Sequence, residues 1–273
     1  MILELEDLTK SYGAIRALDG LSLAVDRDEI VAVLGPNGAG KTTTLEIALG
    51  LRAADTGSAR LFGASPRSAA TRARVGATPQ DSGFPDALRV DELIAFAAAH
   101  FPDAPPVAST IEAFGLTDLA RRRAGELSGG QARRVALALA FAGNPEFVVL
   151  DEPTTGLDVE SRRRLWETVK GAARGRSILF TTHYLEEAEA LATRIVVIDR
   201  GHVLFDGDPG ELRARFGTRR VSYIGANGPV VIATDDTDAY VRKLVTGGEP
   251  FSELEIARPS LEEAFLSITG GSK

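Results

Sequence analysis

Three short runs of apolar, largely β-branched residues constrain the fold of this chain most. They are residues 30–34 (Ile-Val-Ala-Val-Leu), 147–150 (Phe-Val-Val-Leu) and 177–181 (Ser-Ile-Leu-Phe-Thr). Unbroken apolar runs are typical of strands buried on both faces, as in parallel sheets covered by helices. Amphipathic stretches with helical spacing, residues 131–142 and 160–173, lie between these runs. The alternation predicts an α/β fold with a mostly parallel core sheet and crossover helices.

The segments around these runs predict smaller substructures. The first thirty residues alternate apolar with small or polar positions, which predicts antiparallel strands. Residues 75–114 predict mainly helices that are interrupted by prolines. Within them, Ser109-Thr110-Ile111-Glu112 has the capping-box pattern, which predicts that a helix begins there.

The composition of the chain changes near Phe216 and Gly217. Beyond this point, residues 221–224 and 230–233 predict short strands, residues 237–244 predict a helix, and Pro259-Ser260 opens a last helix. We therefore expect a main domain at residues 1–217, with a helical subdomain at about 80–145, and a small α/β appendage at residues 218–273.

Composition excludes several classes of function. The 31 basic and 38 acidic residues give a formal net charge of −7, which argues against general nucleic-acid binding. The lack of cysteine excludes disulfides, thiolate metal sites and cysteine nucleophiles, and it fits a reducing compartment. No run approaches the roughly 20 apolar residues of a membrane-spanning helix, and the first residues show no secretory signal. We therefore expect a cytoplasmic protein.

A glycine-rich loop follows the first buried run. Its residues, Gly35-Pro36-Asn37-Gly38-Ala39-Gly40-Lys41-Thr42, match the phosphate-binding pattern G-x-x-x-x-G-K-S/T. Glycines let backbone N–H groups turn towards phosphates, and the helical stretch from Thr43 presents its positive end. In such loops the lysine reaches the β- and γ-phosphates and the hydroxyl ligates Mg²⁺. An incidental glycine-rich turn explains the strand–loop–helix context less well, so we expect a nucleotide triphosphate site.

Two carboxylates, Asp151 and Glu152, end the second buried run. In a sheet with a phosphate-binding loop, an aspartate at this position lies beside the phosphates and holds Mg²⁺. Glu152 then stands where it could orient and deprotonate an attacking water. Polar residues also end many ordinary strands, and it is the neighbouring loop that favours the metal and base roles.

The pentapeptide Leu127-Ser128-Gly129-Gly130-Gln131 precedes a strongly helical stretch. Ser128 and Gln131 have capping-box spacing, so these residues could simply be a well-capped helix start. Two successive glycines, however, carry an entropic cost that a plain cap avoids, and they suit close approach to a ligand. The same helix end is a second candidate anion site.

These motifs, in this order and spacing, resemble the ATP-binding subunit of ABC transporters. The pentapeptide is specific, because ordinary P-loop kinases and GTPases lack it. Residues 1–217 resemble the ATPase cassette, and the ending Pro259-Ser260-Leu261-Glu262-Glu263-Ala264-Phe265 resembles the drug- and antibiotic-export branch. The resemblance implies ATP and Mg²⁺ as ligands, with nucleotide contacts from residues 35–43 and 128–131 and metal contacts from Thr42, Asp151 and Gln80.

The resemblance assigns four further positions. Tyr12 falls where the family stacks an aromatic ring on adenine, although it could be an ordinary strand tyrosine. Gln80 aligns with the glutamine that contacts Mg²⁺, the attacking water and the membrane partner. His183 matches the histidine that contacts the γ-phosphate and steadies Glu152. Gly156-Leu157-Asp158 resembles the loop that meets the opposite subunit, but a helix N-cap by Asp158 is an equally good explanation.

Other conspicuous side chains predict ordinary structure. The basic runs 121–123 and 133–134 predict solvated helix faces, with added positive field near the pentapeptide as the alternative for Arg133 and Arg134. Trp166 predicts core packing. His100 and His202 predict structural or solvated histidines.

The resemblance implies a mechanism with two copies of the chain. They dock head to tail, so that Lys41 of one and Ser128 and Gly130 of the other hold one γ-phosphate. Closure then pulls on an integral-membrane permease through Gln80 and residues 86–101, which places the protein on the inner face of the membrane. The alternatives are an ABC-type ATPase acting on nucleic acid or ribosomes, which a single acidic cassette without zinc ligands disfavours, and a non-hydrolytic ATP sensor.

Overall fold

The computed structural model describes residues 1–78, 83–217, 219–234, 236–248, 250–257 and 259–270. Its strands are β1 (Leu3–Tyr12), β2 (Ile15–Val25), β3 (Ile30–Leu34), β4 (Thr56–Leu61), β5 (Val75–Thr78), β6 (Phe147–Asp151), β7 (Ser177–Thr182), β8 (Arg194–Asp199), β9 (His202–Gly207), β10 (Arg220–Gly225), β11 (Gly228–Ala233) and β12 (Ser252–Ala257). Its helices are α1 (Lys41–Ala48), α2 (Ala69–Arg72), α3 (Val90–Ala98), α4 (Val107–Ala113), α5 (Gly129–Phe141), α6 (Val159–Ala172), α7 (Leu185–Leu191), α8 (Pro209–Phe216), α9 (Thr237–Thr246) and α10 (Leu261–Gly270), with short 3-10 turns at Thr117–Leu119 and Ala124–Glu126.

The core sheet has the strand order β5-β6-β7-β3-β8-β9. The pairs β5–β6, β6–β7, β7–β3 and β3–β8 are parallel. Each strand of the three predicted runs is buried along almost its whole length, because helices cover both faces of a parallel sheet. The predicted α/β class and parallel core are confirmed.

A second sheet, β2-β1-β4, is antiparallel. Leu3 pairs with Val25 and Leu5 with Leu23, and these leucines are buried in a cluster with Leu45 of α1. Alternate residues of a strand point to one face, so β1 and β2 bury one face each. The predicted N-terminal antiparallel strands are confirmed, and β4 joins them from beyond α1.

The segment predicted as mainly helical begins instead with a strand, and that prediction was wrong for residues 75–78. β5 is a four-residue edge strand that pairs with β6, so its partner lies about 70 residues away in the sequence. A Cβ on Gly76 would lie 1.8 Å from the Ala140 carbonyl oxygen. The glycine is therefore required for α5 to pack against this strand.

The segment between β5 and β6 contains α3, α4 and α5, and α4 begins earlier than the capping-box pattern predicted. Pro106 occupies the N-cap position, and the Ser109 amide already donates to the Pro106 carbonyl at 2.9 Å. The helix start at Ser109 was therefore wrong by two residues. Proline suits the edge of a helix because it has no N–H to satisfy.

The chain divides into two compact units, one of residues 1–206 and one from residue 207 onward. In the second, β11-β10-β12 form an antiparallel sheet, and α8 packs against α10. The division therefore precedes α8, whereas the change in composition falls after residue 217. The strands predicted at 221–224 and 230–233, the helix at 237–244 and the last helix are present as β10, β11, α9 and α10.

None of the helices in the described residues has the length and hydropathy of a membrane-spanning segment.

Candidate functional site

The glycine-rich loop connects the end of β3 to the start of α1, as predicted. Gly40 has a φ of +104°, and a Cβ there would lie 2.5 Å from the Ala17 carbonyl oxygen. Side-chain-free backbone is therefore needed on the inner side of the loop. A Cβ on Gly38, by contrast, would meet no described atom within 4 Å. The loop is closely packed on one side and open on the other.

Lys41 begins α1 and crosses the loop. Its side chain is buried, and its Nζ donates to the carbonyls of Gly35 at 2.7 Å and Pro36 at 3.1 Å. Burial lowers the pKa of the Lys41 ammonium, and the carboxylates of Glu152 and Asp151 act in the opposite direction. The loop, the lysine and the two carboxylates therefore share one electrostatic environment.

Asp151 ends β6 opposite Thr181 of the neighbouring parallel strand β7. The Thr181 hydroxyl donates to Asp151 Oδ1 at 2.5 Å and accepts the Glu152 backbone N–H at 3.0 Å. One buried hydroxyl thus orients the aspartate and anchors the next residue. The sequence placed Thr181 in a strand but did not identify it as part of the site, because threonine is common in strands.

Glu152 has a backbone φ of +46°, a left-handed conformation that costs of order 1–3 kcal/mol for a residue other than glycine. Its Oε2 lies 3.3 Å from His183 Nδ1 and accepts a hydrogen bond from Thr155 Oγ1 at 2.9 Å. The Glu152 side chain is 13% exposed and that of His183 is 41% exposed. The structure therefore brings these two predicted residues together at the surface end of the sheet.

Arg133 contradicts the prediction of a solvated helix face. Its Nε donates to the Pro153 carbonyl at 2.8 Å, and its Nη2 donates to the carbonyls of Asp151 at 2.6 Å and Glu152 at 2.5 Å. Main-chain carbonyls at a buried strand end need donors, and α5 supplies one here. Because its acceptors are backbone atoms, they leave no side-chain signal in the sequence.

The other arginines of the basic runs lie nearer to solvent. Arg134 Nη1 donates to the Gly115 carbonyl at 3.2 Å, just beyond the end of α4. The side chain of Arg121 is 81% exposed and pairs loosely with Asp91. The predicted exposure of run 121–123 is confirmed, but its placement on a helix was wrong, because these arginines lie between two 3-10 turns.

The Ser128–Gln131 pattern begins α5 as a complete capping box. The backbone N–H of Gln131 donates to Ser128 Oγ at 3.3 Å, and the backbone N–H of Ser128 donates to Gln131 Oε1 at 3.0 Å. Ser128 and Gly129 are exposed. Ser128 and Gln131 thus form hydrogen bonds with each other, and Lys41 forms hydrogen bonds with Gly35 and Pro36 of its own loop. The capping interpretation is confirmed, and the ligand role of this helix end stays a prediction.

Asp158 caps α6, as one of the two sequence interpretations had it. Its carboxylate accepts the Ser161 amide at 2.8 Å and the Ser161 hydroxyl at 2.7 Å. These hydrogen bonds lower the pKa of the Asp158 carboxyl. The predicted contact of this loop with a second subunit stays a prediction.

Trp166 packs in the core, as predicted, and donates from Nε1 to Glu187 Oε1 at 3.1 Å. Glu187 is fully buried beside Thr154 and Thr182. Thr154 follows Glu152 by two residues, and Thr182 directly precedes His183. Burial raises the pKa of the Glu187 carboxyl, opposed by neighbouring hydroxyls, Trp166 and Arg162. The sequence alone does not single out this buried acid, because α7 carries two adjacent glutamates, Glu186 and Glu187.

Tyr12 ends β1 with its side chain at the surface, 40% of the residue being exposed. The Arg52 guanidinium lies 5.2 Å from the centre of its ring, a distance typical of cation–π contact. Its predicted adenine contact stays a prediction.

The remaining predicted positions are ordinary or outside the described residues. His100 Nδ1 lies 2.8 Å from the Phe96 carbonyl, and His202 Nε2 lies 3.3 Å from Asp19. Both histidines thus have structural partners at the surface, as expected. Gln80 lies outside the described residues.

Fold and site together define a P-loop ATPase. It has a parallel sheet, a glycine-rich loop that carries Lys41 after β3, and the carboxylates Asp151 and Glu152 at the end of β6, which lies two strands from β3. The ABC transporter family model matches residues 18–155. A Nod factor export ATP-binding protein I of Paraburkholderia xenovorans (strain LB400) is 38% identical, over 98% of this chain and 97% of that protein. The daunorubicin resistance ATP-binding protein DrrA3 of Streptomyces coeruleorubidus is 35% identical, over 97% of this chain and 94% of that protein.

A solved structure, described as the ATP binding subunit of an ABC transporter, superposes with a TM-score of 0.72 at 27% identity, covering 79% of this chain and 93% of that one. The chain belongs to the ABC transporter family, as one of its ATP-binding subunits, and is an ATP hydrolase. The resemblance to the export branch is confirmed by the names of these relatives.

Proposed function

We propose that this ATPase is the Mg²⁺-dependent motor subunit of an exporter, coupling head-to-tail dimerisation on ATP to a separate membrane permease. The observation that carries the proposal is the meeting of Lys41, Asp151, Glu152 and His183 at one end of the core sheet. Lys41 and Asp151 would bind the phosphates and the metal, and Glu152 and His183 would act on an attacking water. This is the arrangement that phosphoryl transfer to water requires.

The residues present fit ATP with Mg²⁺. The loop is open on its outer side at Gly38, and the first amides of α1 have no helical acceptor and point towards it. Lys41 provides the cation and Thr42, exposed at the start of α1, provides a hydroxyl. Among the described residues there is no cluster of three or more acidic or histidine ligands, which suits Mg²⁺ bound by one carboxylate, Asp151, a hydroxyl and substrate phosphates. Bound Mg²⁺ would polarise the phosphate oxygens as a Lewis acid.

Glu152 and His183 would prepare the water. Glu152 Oε2, held by Thr155 and facing His183 at 3.3 Å, accepts the proton of the attacking water. His183, which is the more exposed of the two, keeps the carboxylate oriented and reaches the γ-phosphate. Gln80 would contact the metal, the water and the permease, and Tyr12 would stack on adenine.

One copy of the chain carries only part of the machinery for hydrolysis. The start of α5, with Ser128 and Gly129 exposed, Gly130 partly buried and Gln131 as the capping partner, is a glycine-opened helix end suited to an anion. We infer that it grips the γ-phosphate held by Lys41 of a second copy. ATP is then part of the interface, and its cleavage releases the two copies by differential affinity.

In this proposal a separate permease supplies the transport pathway. The exporter names of the relatives support outward transport. The protein would then sit at the inner face of the membrane, held by the permease through the region from Gln80 to residue 101. A nucleic-acid partner is not expected for a chain of net charge −7.

Replacing Glu152 by Gln tests the proposal. The substitution keeps shape and hydrogen bonding but removes the proton acceptor, so ATP binding should persist, turnover should fall at least 10²-fold, and a nucleotide-bound dimer should accumulate. The measurements are ATPase rate, binding of a fluorescent ATP analogue and mass by light scattering. Glu112→Gln, an exposed change on α4, is the control. A normal rate in Glu152→Gln, or a monomer at saturating ATP and Mg²⁺, would overturn the proposal.

A further inference from the structure

We propose that Arg133 is a positioning residue that sets the orientation of Glu152 and ties it to the helix that begins at Ser128. The inference rests on the proposed function in two respects, since it takes Glu152 as the proton acceptor and Ser128 as a contact to the nucleotide of a second copy. The structural observation on which it stands is the set of hydrogen bonds between one guanidinium and three successive carbonyls, those of residues 151–153, here called the 151–153 loop.

The geometry suits a guanidinium and no smaller cation. Nε and Nη2 lie along one edge of the planar group, and they donate at 2.8, 2.6 and 2.5 Å to acceptors on three consecutive residues. Arginine presents several donors in a rigid fork, whereas the lysine ammonium is a single point with flexible geometry. The whole 151–153 loop is thus bound to one side chain of α5.

Arg133 completes the restraint on the Glu152 backbone. The amide on one side of the Glu152 Cα donates to Thr181 Oγ1 at 3.0 Å, and the carbonyl on the other side accepts from Arg133. Fixing both peptide groups fixes the direction of the Cα–Cβ bond. This is needed here because Glu152 has a φ of +46°, a conformation that persists only when its surroundings impose it. The carboxylate reaches His183 from this backbone.

The same side chain joins this loop to the start of α5. Arg133 is the fifth residue of the helix whose N-cap is Ser128, so little more than one helical turn separates them. A displacement of the helix start is therefore carried to the 151–153 loop. In the proposed dimer, Ser128 contacts the nucleotide of the other copy, whereas Glu152 serves its own. Arg133 then links the Ser128 contact with one nucleotide to the orientation of Glu152 at the other ATP site.

Kinetics of matched variants separate positioning from general support of the fold. Arg133→Gln should lower kcat about 10²-fold, the usual effect of misplacing a reacting group by about 1 Å, with KM for ATP changed less than about threefold. Arg133→Lys, which keeps the charge and loses the fork, should lie in between. Arg134→Gln is the control, since Arg134 bonds to Gly115 instead; it should keep the wild-type kcat. A wild-type kcat in Arg133→Gln would overturn the proposal.

Hydrogen exchange gives a readout that does not depend on turnover. Amides of residues 151–155 should exchange faster in Arg133→Gln than in wild type or Arg134→Gln, with β3 and β7 unchanged. A global rise in exchange would mean that Arg133 only supports the fold, and unchanged exchange at 151–155 would mean that it does not hold the loop; either result overturns the proposal. The Arg133→Lys variant allows the same comparison if the glutamine variant does not fold.

A double variant distinguishes failure of this inference from failure of the proposed function. In the Glu152→Gln background, adding Arg133→Gln should leave the ATP-trapped dimer intact, because the nucleotide grip uses other residues. Loss of the dimer only in the double variant would assign Arg133 to nucleotide binding and overturn the positioning role. If Glu152→Gln alone forms no dimer, the proposed function fails, and the exchange of residues 151–155 still decides the role of Arg133.

Discussion

Replacing the buried Glu187 should change how the stability of this protein depends on pH. The carboxyl is fully buried and its pKa is raised by that burial. A raised pKa in the folded state means that the protein binds a proton that the unfolded chain releases, starting near the ordinary glutamate value of about 4.3. The wild type therefore loses free energy of unfolding as pH rises from about 4.3 through the folded-state pKa.

Glu187→Gln should remove this loss, because the amide does not ionise. Its oxygen can still accept from Trp166 Nε1, and its NH₂ replaces Oε2, a buried atom without a hydrogen-bond partner among the described residues. Glu187→Ala instead leaves the Trp166 N–H unpaired, which costs about 1–3 kcal/mol, and it leaves a cavity. We expect the advantage of Glu187→Gln over wild type to be larger at pH 8 than at pH 5, and Glu187→Ala to be less stable than Glu187→Gln by about 2 kcal/mol at pH 5.

The assay is urea unfolding followed by tryptophan fluorescence at pH 5 and pH 8. Trp166 is the sole tryptophan of the chain, so the signal comes from the hydrogen-bonded neighbour of Glu187. Glu186→Gln, an exposed change on the same helix, controls for the loss of a charge. A Glu187→Gln stability that falls between pH 5 and pH 8 as much as that of wild type would refute the reasoning, because pairing with Arg162 would then govern this carboxyl.

Two further predictions concern local packing and capping. Gly76→Ala should lower the free energy of unfolding by about 3 kcal/mol, because its Cβ would lie 1.8 Å from the Ala140 carbonyl oxygen. Gly171→Ala on α6, where a Cβ would meet no atom within 4 Å, should instead raise the free energy of unfolding by about 0.5–1 kcal/mol. Urea midpoints measure both changes, and equal effects would contradict the packing argument. Asp158→Ala should lower the melting temperature at pH 7 through loss of the Ser161 hydrogen bonds. Because those bonds lower the pKa of Asp158, the stabilisation by its carboxylate is present above the pKa of the unfolded chain and should fade as pH falls through the pKa of the folded state. A difference in melting temperature between Asp158→Ala and wild type that persists at pH 2 would contradict this explanation.

The sequence predicted the core of this fold because the relevant signals are local. An unbroken apolar run such as residues 30–34 has few alternatives to a buried strand, and a glycine loop followed by Lys41 and Thr42 carries its chemistry in consecutive residues. The residues at the end of β6 were informative for the same reason, since Asp151 and Glu152 directly follow the run that positions them.

Features that depend on distant partners were not predictable in this way. β5 is a strand only because β6 pairs with it, and its four residues include a glycine that weakens any strand pattern. The acceptors of Arg133 are main-chain carbonyls about 20 residues further on, which have no identity in a sequence. On α7, the sequence does not distinguish Glu186 from Glu187, and only the hydrogen bond from Trp166 in the structure shows that Glu187 is the buried one.

The position of β3 in the middle of the core sheet has a consequence for how the chain can be assembled. Its two neighbours, β7 and β8, are made only after residue 176 has been added to the chain. A domain that is built from its N-terminus during synthesis must therefore leave this strand without its sheet partners until most of the cassette has emerged. A growing chain arrested before residue 177 would thus lack the support that shapes its ATP loop, and nucleotide capture should be among the last properties acquired as the polypeptide leaves the ribosome.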